Sequence, residues 1–126
     1  MTAMTAMDLV AEAQEKVAAI QTAEAGSRLA DFGTVLDVRE PAEHAEGHLP
    51  GAVNIPRGVL EFKAGSHPAL ADKAAPVLVY CKTGGRGALA ARVLQRMGYS
   101  GVVNLEGGYD GWCEAGLPTE KDPAVC

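Results

Sequence analysis

The chain has 126 residues, which is enough for one domain with a modest core but not for two. Its composition, 48% hydrophobic and 21% charged, is that of a globular protein. The net charge is −5 and no run of Lys or Arg forms a basic stripe, which argues against nucleic acid as a partner. No stretch approaches the roughly 18 apolar residues of a membrane span, and residues 1–7 lack a signal-peptide pattern. We therefore expect a cytoplasmic protein that does not bind membranes.

The N-terminal part of the chain predicts two helices. Asp8 can cap the first, whose apolar residues fall near one face. These residues are Val10, Ala13, Val17 and Ile20. A second helix is predicted over residues 22–31, ended by Gly33. We expect residues 1–20 to be a helical extension, residues 21–119 the main domain, and residues 120–126 a tail.

The middle of the chain alternates short strands and helices. Residues 34–38 read as a buried strand, and Pro41 begins a short helix that runs through Glu46. Residues 52–55 form a second short strand before Pro56, because the residue before proline avoids the helical region. Ser66 is predicted to cap a weak helix over residues 67–73.

The strongest strand signal covers residues 76–80 and leads directly into Cys81. A loop over residues 82–86 follows, and then a helix to about Gly98, since apolar residues repeat there at helical spacing. A last strand over residues 102–105 and a helix over residues 109–115 complete the pattern. Strands alternating with helices predict an α/β fold.

Candidate chemistry is concentrated in the loop after this strand. Cys81 stands at the carboxyl end of a buried strand, where open α/β sheets bind ligands. Glycines let the loop backbone curl so that N–H groups point inward, and the next helix adds its positive dipole end. The glycines are Gly84, Gly85 and Gly87. This cradle, with Lys82 and Arg86 beside it, is expected to hold Cys81 as a reactive thiolate, and the competing interpretation is an inert, buried cysteine.

Several segments are similar to those of one known family. Residues 81–86, CKTGGR, resemble the active-site loop of the rhodanese family. Residues 36–40, LDVRE, resemble its first conserved block, and residues 46–56, EGHLPGAVNIP, its signature turn and strand. Residues 105–112, LEGGYDGW, with residues 115–118, AGLP, resemble its closing block. The chain is therefore identified as a member of the rhodanese family over most of its length.

The resemblance implies a three-layer α/β fold with a central, mostly parallel sheet of about five strands and helices on both faces. It also implies a sulfurtransferase that takes sulfur from thiosulfate or a related anion onto Cys81 as a persulfide. The acceptor would be cyanide, a thiol or a partner protein, and neither metal nor organic cofactor is needed. The implied substrate-binding residues are Lys82, Thr83, Gly84, Gly85, Arg86 and Gly87, with Arg57 at the pocket rim.

Two features of the loop bear on this assignment. Many family members have serine at position 87, so Gly87 removes a hydroxyl donor and a helix cap but keeps the backbone donors. Only four residues separate Cys81 from Arg86, one fewer than in related phosphatases and arsenate reductases of this fold. By family analogy the shorter loop favours sulfur transfer. The alternatives are a catalytically quiet module that binds proteins or carries sulfur, and a phosphatase or arsenate reductase-like enzyme.

Other side chains have two interpretations each. Lys82 is either a solvated loop lysine or a cation that attracts the donor, and Arg86 either faces the ligand or pairs with an acid. Asp37 and Arg39 are expected to form a structural ion pair. The histidines are His44, His48 and His67. Their spacing along the chain indicates no metal site, so we expect turn or surface roles.

The remaining cysteines are Cys113 and Cys126, which lack a CxxC pattern. We expect them to be free thiols, the first half-buried and the second in the tail. Either would resolve a persulfide only if it came within reach of Cys81.

Overall fold

The structure is a computed structural model that describes residues 3–122. It contains one five-stranded sheet in the order β1-β5-β4-β2-β3, and every neighbouring pair is parallel. The strands are β1 Ala18–Ile20, β2 Thr34–Asp37, β3 Val53–Asn54, β4 Val77–Tyr80 and β5 Val102–Leu105. The predicted α/β class and five-stranded parallel sheet are confirmed.

Helices cover both faces of this sheet. They are α1 Ala6–Lys16, α2 Thr22–Arg28, α3 Pro41–Glu46, α4 Leu60–Ala64, α5 Gly85–Arg96 and α6 Gly108–Glu114. Leu60 of α4 and Leu94 of α5 belong to the core on one face, where α1 also packs against α5 through Val10 and Ala88. Ala25 of α2 and Trp112 of α6 belong to the core on the other face. None of the helices described for residues 3–122 has the length and apolar character that a membrane crossing needs.

The central strand β4 explains why its sequence signal is so strong. Val77 and Val79 enter the core on the α5 side, whereas Leu78 and Tyr80 enter the core on the α6 side. A strand that is buried on both faces needs apolar residues at every position, and each such side chain contributes about 1.5–3 kcal/mol on burial. Cys81 continues the first of these two faces directly beyond the strand.

Two parts of the N-terminal prediction are wrong. The cap of α1 is Thr5, whose Oγ1 accepts from the Asp8 N–H at 3.1 Å, while the Asp8 carboxylate accepts from the Thr5 N–H at 2.9 Å. The helix also ends at Lys16, and residues 18–20 form β1 beside β5. Pairing with β5 and burial of Ile20 override the helical propensity of the alanines there. The division of the chain at residue 20 stays a prediction.

The segment between β3 and β4 also differs from its prediction. Residues 67–73 form only a 3-10 turn, Pro68–Leu70, and the ring of His67 rather than Ser66 accepts the Ala69 N–H at 3.1 Å. The helix α4 lies just before it and was not predicted. The predicted helix over residues 22–31 likewise divides into α2 and a 3-10 turn at Leu29–Asp31.

Candidate active site

Cys81 lies at the carboxyl edge of the sheet, directly after its central strand. Its side chain is 1% exposed and belongs to the core between the sheet and α5. The strands on either side of β4 end at Asp37 and Leu105, so the loops after three neighbouring strands meet at this edge. This is the position at which parallel α/β sheets bind ligands.

The backbone after Cys81 leads into α5, and the start of this helix lies next to the sulfur atom of Cys81. The Gly84 N–H donates to Cys81 Sγ at 3.1 Å, and Gly84 is the N-cap of α5. The N–H groups of Gly85, Arg86 and Gly87 open this helix and so have no carbonyl partner within it. The positive end of the helix dipole therefore lies next to the sulfur. The helix begins two residues earlier than predicted, which places Arg86 in its first turn rather than in the loop.

The loop is also held from its other side by the start of α6. The Tyr109 N–H donates to the Cys81 carbonyl at 2.8 Å, and the Asp110 N–H donates to the Lys82 carbonyl at 3.0 Å. Gly108 permits this approach, since it has a φ of 59° and a Cβ there would lie 2.5 Å from the Cys81 carbonyl oxygen. The two backbone bonds fix the direction in which the chain leaves Cys81.

The space beside Gly87 is filled by Asn104 of β5. A Cβ at position 87 would overlap Asn104 Oδ1 and would lie 3.5 Å from the Cys81 nitrogen. Asn104 is 4% exposed and donates through Nδ2 to the Gly84 carbonyl at 3.3 Å, while its Oδ1 has no hydrogen-bond partner among residues 3–122. Position 87 is the third residue of α5, so the predicted loss of a helix cap there is wrong. Glycine at this position accommodates Asn104 instead.

Arg86 pairs with an acid from a distant part of the chain. Its guanidinium donates to both carboxylate oxygens of Glu43 in α3, at 2.9 and 3.1 Å. These hydrogen bonds lower the pKa of Glu43 to about 2, and they raise the pKa of Arg86. The second interpretation of Arg86 is therefore the one seen in the structure. Arg86 pairs with an acid and braces the start of α5.

Lys82 is also paired, but at the surface. Its Nζ lies 3.0 Å from both carboxylate oxygens of Asp110, and both side chains are about half exposed. Thr83 is exposed beside it. Exposed ion pairs of this kind contribute at most about 1 kcal/mol, so an anion that binds nearby can separate Lys82 from Asp110.

Asp37 and Arg39 form a buried ion pair behind the loop. Arg39 donates to Asp37 at 3.0 Å through Nε and 2.7 Å through Nη2, and the Tyr80 hydroxyl donates to the same carboxylate at 3.0 Å. Burial acts to raise the pKa of Asp37, but the hydrogen bonds outweigh it and hold the pKa below its usual value. The Arg39 guanidinium also lies over the Tyr109 ring, 4.3 Å from its centroid. The pair therefore connects β2, β4 and α6.

Arg57 lies in a 3-10 turn, Arg57–Val59, just after β3. Its Nη1 donates to Glu61 at 2.9 Å, while its Nε is buried and has no partner among residues 3–122. The backbone N–H of Arg57 donates to the Val38 carbonyl at 3.0 Å, which holds the turn against the loop after β2. Its place at the pocket rim stays a prediction.

One of the two remaining cysteines lies within the described residues, as does the single tryptophan. Cys113 is exposed on α6 rather than half-buried, and Cys126 lies outside the described residues. Trp112 is 1% exposed and donates to the Pro118 carbonyl at 2.7 Å, so it lies in the core.

A cleft of about 320 Å³ lies beside the Cys81 loop, between α3 and α6. It is lined mainly by polar and charged residues, including Arg39, Glu43, Glu46, Lys82, Tyr109 and Asp110. A larger cavity of about 680 Å³ lies beside the start of β2, and its lining includes no cysteine and no basic residue. Of these two, the smaller cleft includes Lys82, the residue that follows the candidate nucleophile.

Three residues of this site were not singled out by the sequence: Glu43, Asn104 and Asp110. A polar asparagine inside the apolar run of β5 was the one local signal that could have indicated Asn104. Glu43 and Asp110 are ordinary surface acids in the sequence, and only their contacts with Arg86 and Lys82 distinguish them.

Comparison with known proteins identifies the family. Residues 21–115 match the family model for the rhodanese-like domain. A sulfurtransferase from Allochromatium vinosum is 39% identical over 93 residues, 72% of this chain and 83% of that protein. The chloroplastic thiosulfate sulfurtransferase 16 of Arabidopsis thaliana is 36% identical over 96 residues, 68% of this chain and 78% of that protein.

Solved structures include a close match in fold. A protein of unknown function from Rhodopseudomonas palustris, described as a possible tyrosine phosphatase, superposes with a TM-score of 0.86 at 30% identity, over 95% of this chain and 97% of that one. The family model matches most of the chain and the parallel sheet agrees with it, so this chain belongs to the rhodanese-like domain family.

Proposed function

We propose that this protein is a sulfurtransferase that moves sulfane sulfur from thiosulfate, or a related anion, to cyanide or a thiol acceptor through a persulfide on Cys81. The observation that supports this most directly is the hydrogen bond from the Gly84 N–H to Cys81 Sγ at the start of α5. Backbone donors and a helix N-terminus favour negative charge on that sulfur and on a second sulfur bonded to it. A cytoplasmic location fits chemistry that needs a free thiol.

The reaction consists of two displacements on sulfur. The Cys81 thiolate attacks the outer sulfur of thiosulfate, an S–S bond forms, and the bond to the sulfonate sulfur breaks with release of sulfite. The terminal sulfur of the persulfide then carries the negative charge, which the N–H groups of Gly85, Arg86 and Gly87 stabilise. An acceptor such as cyanide attacks this terminal sulfur, leaves as thiocyanate and restores the Cys81 thiolate.

The cations around the loop have different parts in this proposal. Lys82 attracts the anionic donor, because its surface pair with Asp110 is weak and exchanges readily. Arg86 braces the first turn of α5 through Glu43 and so keeps the backbone donors aligned. In this proposal Arg57 contributes to the rim of the pocket, while its Nη1 stays paired with Glu61 and its buried Nε has no partner among residues 3–122.

Mass spectrometry of the intact chain after incubation with thiosulfate tests the proposal. We expect the mass to increase by one sulfur atom, with the added sulfur on Cys81, and we expect cyanide to remove it with release of thiocyanate. Cys81→Ser should abolish both results, while Cys113→Ser, at an exposed cysteine of α6, should leave them unchanged. A folded wild-type chain that gains no sulfur from thiosulfate or other sulfane donors would instead be a quiet protein-binding module.

The possible phosphatase described for the Rhodopseudomonas palustris protein suggests a second candidate function. Arginine binds phosphate through its two-pronged guanidinium, but here that group of Arg86 is already bound to Glu43. The shorter loop, with four residues between Cys81 and Arg86, also favours sulfur transfer. Hydrolysis of an aryl phosphate that depends on Cys81, without persulfide formation, would support the phosphatase instead.

A further inference from the structure

A buried asparagine of β5 lies beside the start of α5. Asn104 pairs in register with Ala19 of β1 and Val79 of β4, so its side chain is on the same face of the sheet as that of Val79. Val79 and Cys81 both belong to the apolar core on the α5 side of the sheet. Asn104 is therefore a polar side chain in an apolar layer, next to the strand that leads to Cys81.

Only half of the Asn104 amide is satisfied among residues 3–122. Its Oδ1 is buried there without a hydrogen-bond partner, and the side chain is 4% exposed. Burial of such an oxygen opposes folding, and an apolar side chain of the same shape would avoid this cost. Packing alone therefore does not explain an asparagine at this position.

The other half of the amide holds one carbonyl group of the Cys81 loop. Asn104 Nδ2 donates to the Gly84 carbonyl at 3.3 Å, and the Ala88 N–H donates to the same oxygen at 2.9 Å. These two donors use both lone pairs of that oxygen. Because a carbonyl only accepts, the Asn104 amide has to turn its nitrogen toward Gly84, and this leaves Oδ1 facing Gly87.

The orientation of Gly84 decides where two backbone donors point. Its own N–H donates to Cys81 Sγ at 3.1 Å, and its φ of 124° is a conformation that few residues other than glycine adopt. The Gly84 carbonyl shares a planar trans peptide group with the Gly85 N–H, so these two groups point in opposite directions. A donor that fixes the Gly84 carbonyl thus also fixes the Gly85 N–H, which has no carbonyl partner within α5.

We propose that Asn104 is a positioning residue, which holds Gly84 so that the N–H groups of Gly84 and Gly85 stay directed at the sulfur on Cys81. The inference rests on the proposed sulfurtransferase function, in which backbone donors stabilise the Cys81 thiolate and the terminal sulfur of its persulfide. Asn104 acts through the loop backbone rather than on the reacting atoms. Without it the donors are still present, but a glycine backbone that is held less firmly aligns them less well.

Asn104→Leu tests this role, because leucine has a similar branched shape and lacks both polar atoms. We expect the maximal rate at which Cys81 gains sulfur from thiosulfate to fall by about tenfold or more, since outright loss of a transition-state donor costs about 10²–10³-fold. The thiosulfate concentration that gives half of this rate should stay within about twofold of the parent's value, because Lys82 still attracts the anion. Quenched reactions followed by mass spectrometry of the intact chain measure both quantities.

The stability of the same variant separates positioning from packing. We expect the urea midpoint of Asn104→Leu not to fall, since leucine removes the buried oxygen that has no partner. Thr34→Val is the matched control, because Thr34 is a buried strand residue at the opposite edge of the sheet, and its hydroxyl donates to the Ala69 carbonyl. It should leave the rate of sulfur gain unchanged. An unchanged rate in Asn104→Leu, or a slower rate that appears only together with a lower urea midpoint, would overturn the proposal.

Alkylation of Cys81 by iodoacetamide gives a test that does not need sulfur transfer. Mass spectrometry of the peptide that contains Cys81 separates this reaction from that of the other cysteines. At neutral pH we expect Asn104→Leu to slow it by about threefold or more, because fewer Cys81 sulfurs are ionised while each thiolate becomes only slightly more nucleophilic. Thr34→Val should react as fast as the parent.

The two experiments together distinguish failure of the positioning role from failure of the proposed function. Equal alkylation rates in Asn104→Leu and the parent would overturn the positioning role. A parent chain that gains no sulfur, but whose Cys81 is alkylated more slowly in Asn104→Leu, would refute the sulfurtransferase and support the positioning role of Asn104.

Discussion

The Oδ1 atom of Asn104 occupies the space into which a Cβ at position 87 would project. Because Asn104 also donates to the Gly84 carbonyl, it supports the backbone of the Cys81 loop, and a side chain at position 87 requires the end of the Asn104 side chain to shift. Gly87, which differs from the serine of many family members, is therefore matched to Asn104. The contact between Gly87 and Asn104 predicts how substitutions at the two positions change the free energy of unfolding.

Gly87→Ala should lower the free energy of unfolding by about 1–3 kcal/mol, because the added methyl group overpacks a filled site. In an Asn104→Ala background the same change should cost less, with a coupling of about 0.5–3 kcal/mol. Urea unfolding of the four chains of this double-mutant cycle measures both quantities. Gly65→Ala is the control, since nothing lies within 4 Å of a Cβ at Gly65. Independent, additive effects would contradict the match.

Gly108 allows α6 to lie against the Cys81 loop, and its replacement should be more damaging than that of a similar glycine. Gly108 and Gly116 both have a positive φ, 59° and 71°. A Cβ at Gly108 would meet backbone atoms of residues 81 and 82 at 2.5–2.6 Å, whereas one at Gly116 has nothing within 4 Å.

We therefore expect Gly108→Ala to lower the free energy of unfolding by at least about 1 kcal/mol more than Gly116→Ala does. Gly108→Ala should also reduce sulfur transfer, since the loop must shift. Urea unfolding and a thiosulfate-to-cyanide assay measure the two effects. Equal losses in both variants would mean that only the backbone conformation, and not the contact with the loop, matters.

Glu43→Gln should change how strongly the site attracts anions. Glu43 is ionised at neutral pH, because Arg86 lowers its pKa to about 2, and glutamine keeps the shape but removes the negative charge. The excess positive potential beside the loop should lower the KM for thiosulfate and make it more dependent on salt. Steady-state kinetics at low and high ionic strength measure this. Glu24→Gln, which removes a surface partner of Arg28, is the control, and a KM that does not fall would contradict the prediction.

Tyr80→Phe should destabilise the corner behind the loop. The hydroxyl donates to Asp37 at 3.0 Å and accepts the Leu49 N–H at 3.1 Å, and all three groups are buried. Its removal leaves a buried N–H without a partner, which should cost about 1–3 kcal/mol. Chemical denaturation measures the loss. Tyr109→Phe, at a half-buried ring, should cost less, and the opposite order would contradict the assigned role of Tyr80.

Local patterns in the sequence were sufficient to predict much of the sheet and the nucleophile. The unbroken apolar run of β4 indicates a strand buried on both faces, and the glycines after Cys81 indicate a tight turn into a helix. The apolar repeat of α5 identifies that helix down to its last turn. These features depend on neighbours within a few residues, so the periodicity and composition of a short segment are enough to predict them.

The short element β1 shows where local patterns fail. Residues 18–20 follow a helical repeat and contain two alanines, yet they form a strand because β5 lies beside them and Ile20 enters the core. The weak helix predicted over residues 67–73 fails in the same way, since burial of Leu70 and a single 3-10 turn replace it. Tertiary pairing outweighs propensities that amount to only a few tenths of a kcal/mol per residue.

The chain by itself thus determined the family resemblance, the parallel sheet and the place of Cys81 at its edge. Only the tertiary structure decided that Arg86 binds Glu43 and that Asn104 fills the space at Gly87. The reason is physical: each of these contacts joins residues that are far apart in sequence. The packing of the helices on the sheet decides which of these residues meet. The pattern of a short segment does not contain that information.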